Sequence, residues 1–135
     1  MAYKVERIEG IGSVYGEKLI AVGIKTTEQL LAKCATPKGR KDLEKETGIS
    51  GALILKWANH ADLMRIKGVA GQFSELLEAA GVDTVKELKL RVAANLQPKM
   101  EEVNQKKNLV NRVPSLSEVE RMIAQAKELK PIMTY

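Results

Sequence analysis

The segment IEGIGSVYGEKLIAVGIKTTEQLL, Ile8 to Leu31, returns without a gap as IKGVAGQFSELLEAAGVDTVKELK, Ile66 to Lys89, at an offset of 58 residues. The copies share Ile8/Ile66, Gly10/Gly68, Glu17/Glu75, Leu19/Leu77, Ala21/Ala79, Gly23/Gly81, Thr26/Thr84 and Leu30/Leu88. These identities fall on glycines, cap residues and apolar contact positions, which constrain a backbone more than a surface. The chain is therefore expected to build one local structure twice.

Each copy reads as a tight turn, a helix, a stop and a second helix start. Val14, Tyr15, Leu19 and Val22, and in the second copy Phe73, Leu76, Leu77 and Ala80, recur at helical spacing and predict one apolar stripe per copy. Gly23 and Gly81 sit where a helix ends in the left-handed conformation that glycine adopts without strain. Thr26 with Gln29, and Thr84 with Glu87, fit the capping box, in which a hydroxyl and a third-position side chain satisfy free amides reciprocally. Gly10 and Gly12 precede a helix instead, and Gly16 is small enough for another element to pack closely on it.

Between the copies, Thr36 and Pro37 predict a helix start, Gly48 a stop, and Ser50 the cap of a stronger helix whose Leu53, Trp57, Ala61 and Met64 share a face. Only the short AYKVER precedes the first turn, so its leading helix is expected to be truncated or absent. After the second copy, Leu96, Met100, Val103 and Val110 predict a helix running toward Pro114. Ser115 with Glu118 opens a last helix through Leu129, closed by Pro131 and expected to pack on its own domain. No strand alternation is found. The expected fold is one all-α domain over 1–135, a compact bundle of about seven or eight short helices: repeat one over 8–31, connecting helices over 32–65, repeat two over 66–89 and C-terminal helices over 92–130.

Composition narrows the chemistry. A single cysteine, Cys34, and a single histidine, His60, leave no intrachain disulfide, no cysteine metal site and few nucleophile-base arrangements, and no phosphate loop of the Walker type is present. No metal ligand set and no enzyme activity are expected. Cys34 reads as a small buried or half-buried thiol, His60 as a surface residue, and Trp57 and Met64 as core. The charged N-terminus and the absence of a long apolar run point to a cytoplasmic protein with no membrane partner. Net charge is +5, which permits an anionic partner. Residues 1–31 and residues 66–91 are each neutral; the excess lies in residues 32–65 and 92–135.

Gly10, Ile11, Gly12, Gly16 and Leu19 resemble the helix-hairpin-helix motif: glycine, hydrophobic residue, glycine, a small residue four positions on and a hydrophobic one three further. Gly68, Val69, Ala70, Ser74 and Leu77 repeat it with alanine for the second glycine. The order of motifs and helices resembles an uncharacterised prokaryotic family of tandem helix-hairpin-helix proteins, domain of unknown function 4332. That resemblance implies a SAM-like all-α architecture and binding of nucleic-acid backbone without sequence preference. It further implies phosphate contacts from the amides of Gly10, Ile11, Gly12, Gly68, Val69, Ala70 and Gly71, and a monovalent cation held on hairpin carbonyls in some relatives.

The physical basis is that glycine lets a phosphate come close, while a helix N-terminus presents amides and a favourable dipole. Arg65 and Lys67 flank the second turn, and Lys38, Arg40 and Lys41 form a second basic cluster. Against this, Val14 and Gln72 occupy positions where DNA-binding hairpins often carry a cation, and Glu9 lies in the first turn. The rival expectation is a protein-protein adaptor using the same fold as a scaffold. Oligomeric state is left open by the sequence.

Overall fold

Thr26, Thr36, Ser50, Thr84 and Ser115 each accept a hydrogen bond from the backbone amide three residues on, and each opens a helix. Such caps are typically worth about 1 kcal/mol apiece. In the computed structural model, which describes residues 3–135, the chain is all-α. A short 3-10 helix, Val5–Arg7, is followed by α1 (Gly12–Ala21), α2 (Thr27–Cys34), α3 (Pro37–Thr47), α4 (Gly51–Leu63), α5 (Gly71–Ala79), α6 (Val85–Leu88), α7 (Ala93–Lys107) and α8 (Leu116–Glu128). Among the described residues the only strand-like pairing is an isolated bridge between Lys4 and Thr26.

The two copies share several backbone features, although they part at Gly12, whose φ is +63° where its counterpart Ala70 has −103°. Gly10 and Gly68 have φ of +89° and +91°, and Gly23 and Gly81 of +87° and +97°. After each first helix the chain turns through the same bonds: Ile24 N to Leu19 O and Val82 N to Leu77 O, at 2.9 and 2.8 Å. One equivalent position is solved in two ways. The amide of Thr27, which opens α2, donates to the Tyr3 carbonyl, whereas that of Val85, which opens α6, donates to the Asp62 carboxylate at the end of α4. The short segment before the first turn thus does the work of a full helix in the second copy.

The core forms as two clusters. The first gathers Val5, Ile8, Ile11, Leu19, Leu30, Trp57, Met64 and others around α2, with Met133 reaching in from the far end of the chain; the second gathers Leu63, Ile66, Leu76, Leu77, Met100, Val119 and Ala126. Helix α4 feeds both, since Leu63 lies in one and Trp57, Ala58 and Ala61 in the other. Tyr15 meets the Trp57 ring edge-on, with centroids 5.1 Å apart. Trp57 and Met64 are core residues and Cys34 is a buried thiol, as expected, and burial pushes Cys34 up to about 12.

Several expectations are corrected. The stripe on α1 is narrower than its spacing suggested, because Val14 is 66% exposed and Val22 is also exposed, leaving Gly16 and Leu19 as the buried residues. Helix α7 ends at Lys107, where Asn108 takes a left-handed φ of +51°, so Val110 packs from a loop held by the Asn104 side chain. Thr84 caps α6, but Glu87 does not complete the box; its carboxylate pairs with Arg91 instead. The boxes at Thr26 and Ser115 are complete. His60 is fully buried rather than on the surface, its Nε2 3.0 Å from Glu78 Oε2 and its Nδ1 without a partner among the described residues.

The segment after α8 does not trail away. Thr134 N donates to the Ala35 carbonyl, Arg40 donates to the Thr134 carbonyl, and the Tyr135 hydroxyl donates to Asn59 Oδ1. Residues from the end of the chain are thereby fastened to α2, α3 and α4.

Candidate nucleic-acid interface

The turn before α1 and the turn before α5 lie against each other. Gly71, the first residue of α5, explains why: a Cβ there would stand 2.1 Å from the carbonyl oxygen of Arg7 and 3.4 Å from the amide of Glu9. Only glycine lets the first turn's backbone come this close. A cleft of about 320 Å³ runs along the contact, lined by Arg7, Glu9, Ala70, Gly71, Gln72 and Phe73. Arg7 is exposed, and its guanidinium stands 5.7 Å from the Tyr3 ring centroid.

The glycine turns divide into groups with different reasons for being glycine. At Gly10, Gly12 and Gly68 φ is positive and a Cβ would meet no atom within 4 Å. These residues are required by backbone conformation, and the space beside them is open. At Gly71 φ is ordinary and the reason is the Arg7 carbonyl. That carbonyl faces the N-terminus of α5, where the helix dipole favours negative charge.

The expected phosphate-facing amides separate in the same way. Ile11 N donates to Ile8 O at 3.4 Å and Val69 N to Ile66 O at 3.1 Å, and both side chains are buried, so these two residues belong to the inner wall of their turns. The amides of Gly10, Gly12, Gly68, Ala70 and Gly71 have no hydrogen-bond partner among the described residues. The carbonyls of Ile8 and Ile66 accept within the turns, and that of Arg7 is packed on Gly71.

The basic residues are redistributed. Arg65 is half-buried, donating to Asp62 Oδ1 at 2.8 Å and to the Lys130 carbonyl at 2.7 Å, so its charge is committed within the fold. Arg40 donates to the Cys34 and Thr134 carbonyls and lies over the Tyr135 ring. A cation in the first turn of α3 opposes that helix's own dipole, yet it satisfies the C-terminal end of α2. Lys38 is exposed and pairs with Asp42 at 3.3 Å. Lys41 and Lys67 are exposed, and the Lys67 amide is held by Gln125 Oε1.

Arg7 is the residue that sequence reasoning left out. It lines the cleft beside the second turn although 64 positions separate it from Gly71, and a search for cations near each turn in sequence passes over it. The Gly71 close approach, which brings it there, is a property of how the copies pack.

With the turns, caps and paired cores in view, the class is that of an all-α helical bundle. The chain belongs to the family described as domain of unknown function DUF4332, whose profile matches residues 9–129. No curated protein and no solved structure matches it. No described helix is long and apolar enough to cross a membrane.

Proposed function

We propose that this protein is a tandem helix-hairpin-helix module that grips nucleic-acid backbone through its two turns, without reading base sequence and without catalysis, in the cytoplasm. The observation that carries the reading is the cleft between the turns, where the unpartnered amides of Ala70 and Gly71 open α5 beside Arg7. A phosphate there gains backbone donors, a favourable helix dipole and one guanidinium. Gly10, Gly12 and Gly68 add open, Cβ-free backbone on the same two turns, and Lys67 supplies an exposed cation next to the second. Glu9, which also lines the cleft, works against binding and keeps it weak.

The test is fluorescence anisotropy with labelled duplex DNA, single-stranded DNA and RNA. The expected dissociation constant is micromolar or weaker and rises steeply with salt, as phosphate neutralisation requires. Arg7→Glu is expected to abolish binding and Lys67→Glu to weaken it. Glu9→Gln is expected to tighten it by about twofold to fivefold, because a like charge beside the phosphate is removed. Absence of binding by all three nucleic acids at low salt, with protein at tens of micromolar, or indifference to Arg7 and Glu9, overturns the reading.

A second reading, a protein-interaction adaptor, is favoured by the exposure of Leu90 and Val92 in the turn between α6 and α7. Partner capture that survives nuclease treatment would support it over the first.

A further inference from the structure

Helix α1 presents two opposite faces. Gly16 and Leu19 are buried on one. On the other, Val14, Glu17, Lys18, Ala21 and Val22 recur at the spacing of a single helical face, and all five are exposed. The second copy shows what happens to this face when the chain supplies a cover. At the 58-residue offset, Leu76 and Ala80, the counterparts of Lys18 and Val22, are buried in the second core, Glu75 and Ala79 are half-buried and Gln72, the counterpart of Val14, stays exposed; α5 packs against both α4 and α7. Helix α1 has the 3-10 helix as its principal neighbour, and among the described residues no helix plays the part of α7.

The sequence of the open face says what fits it. Glu17 and Lys18 stand side by side at its centre, flanked by Val14 on one side and Ala21 and Val22 on the other. Neither charge takes part in an ion pair among the described residues. We infer that this face pairs with the same face of a second copy of the chain, the two α1 helices running antiparallel about a two-fold axis between residues 17 and 18. In that arrangement each Glu17 faces the other copy's Lys18, and each Val14 faces the other copy's Ala21. A two-fold interface must be self-complementary in this sense. A ten-residue helix is only about 15 Å long, so the interface lies at the small end of the range and the association is weak and salt-sensitive.

Sedimentation equilibrium on the full chain, without nucleic acid, tests this independently of the proposed function. The weight-average mass is expected to rise from 14.9 kDa toward twice that value as concentration approaches about 1 mM at low salt. Glu17→Lys alone and Lys18→Glu alone place like charges opposite each other, and each is expected to weaken association by about tenfold or more. The double variant Glu17→Lys/Lys18→Glu restores complementarity and is expected to associate as the native chain does. All the altered side chains are exposed, so the circular dichroism spectrum and melting temperature report that the fold is retained. A native chain that stays monomeric, single variants that associate normally, or a double variant that fails to recover would each overturn the inference.

Discussion

Replacing Gly71 by alanine adds one methyl group and tests whether the two turns are held together by backbone contact. The added Cβ would stand 2.1 Å from the Arg7 carbonyl oxygen and 3.3 Å from its carbon. Ordinary contact needs about 3.5 Å or more, so one of the two turns must retreat by over 1 Å. Neither atom is the end of a flexible side chain that could swing away. The conformation at Gly71 is one that alanine adopts freely, so the cost is overpacking alone, about 1–3 kcal/mol. For a domain of this size that corresponds to a fall in melting temperature of roughly 3–12 °C.

Urea unfolding followed by circular dichroism measures the cost, and asparagine separates steric from conformational causes. At Gly68 nothing lies near a Cβ but φ is +91°. Alanine there costs about 1–2 kcal/mol through the left-handed backbone, and asparagine, which tolerates that region, recovers part of it. At Gly71 asparagine is expected to be no better than alanine. Stability of Gly71→Ala within about 0.5 kcal/mol of the native protein, or rescue of position 71 by asparagine, would refute the close approach and remove the basis for a shared cleft.

Two further expectations concern buried charge. Burial pushes His60 below its ordinary 6.5, against an opposing pull from Glu78; Lys56 on its own helix lowers it further, and Glu75 on α5 raises it. A histidine whose folded value is depressed binds fewer protons folded than unfolded. Its contribution is therefore present above 6.5 and lost as pH falls through the folded value, so urea midpoints are expected to drop below about pH 6.5. His60→Gln is expected to flatten that limb. Arg65→Gln leaves the Asp62 carboxylate, only 3% exposed, without its guanidinium. The expected loss is about 2–4 kcal/mol by chemical denaturation. Asp62→Asn added to it is expected to recover part of that loss, and full additivity would show that the pair is not coupled.

Local chemistry was the legible part of this fold. Thr26, Thr36, Ser50 and Ser115 announce their helices because a cap acts within three residues of itself. Gly10, Gly23, Gly68 and Gly81 announce their turns because a left-handed backbone selects for glycine at one position. What could not be read depended on a second element. Val14 and Val22 carry the right period for a core stripe, yet periodicity cannot say that α5 receives a covering helix and α1 does not. His60 gave no sign of burial, since its setting is made by Glu78 on another helix. Arg40 and Arg65 look like surface cations in sequence; the carbonyls they satisfy, at Thr134 and Lys130, lie 94 and 65 residues away. The turn residues were legible as candidates, but Arg7 enters only once the copies are packed.

Met133 lies in the first core although almost every other member of that cluster belongs to residues 5–64. During synthesis the N-terminal half leaves the ribosome first and can begin to collapse. Its core nevertheless stays short of one side chain, and the end of α2 short of the bond from Thr134 to Ala35, until residues 133 and 134 have been made. The part of this core that is synthesised first is thus completed by a side chain made much later, and a chain lacking residues 133–135 would leave a gap in that apolar cluster.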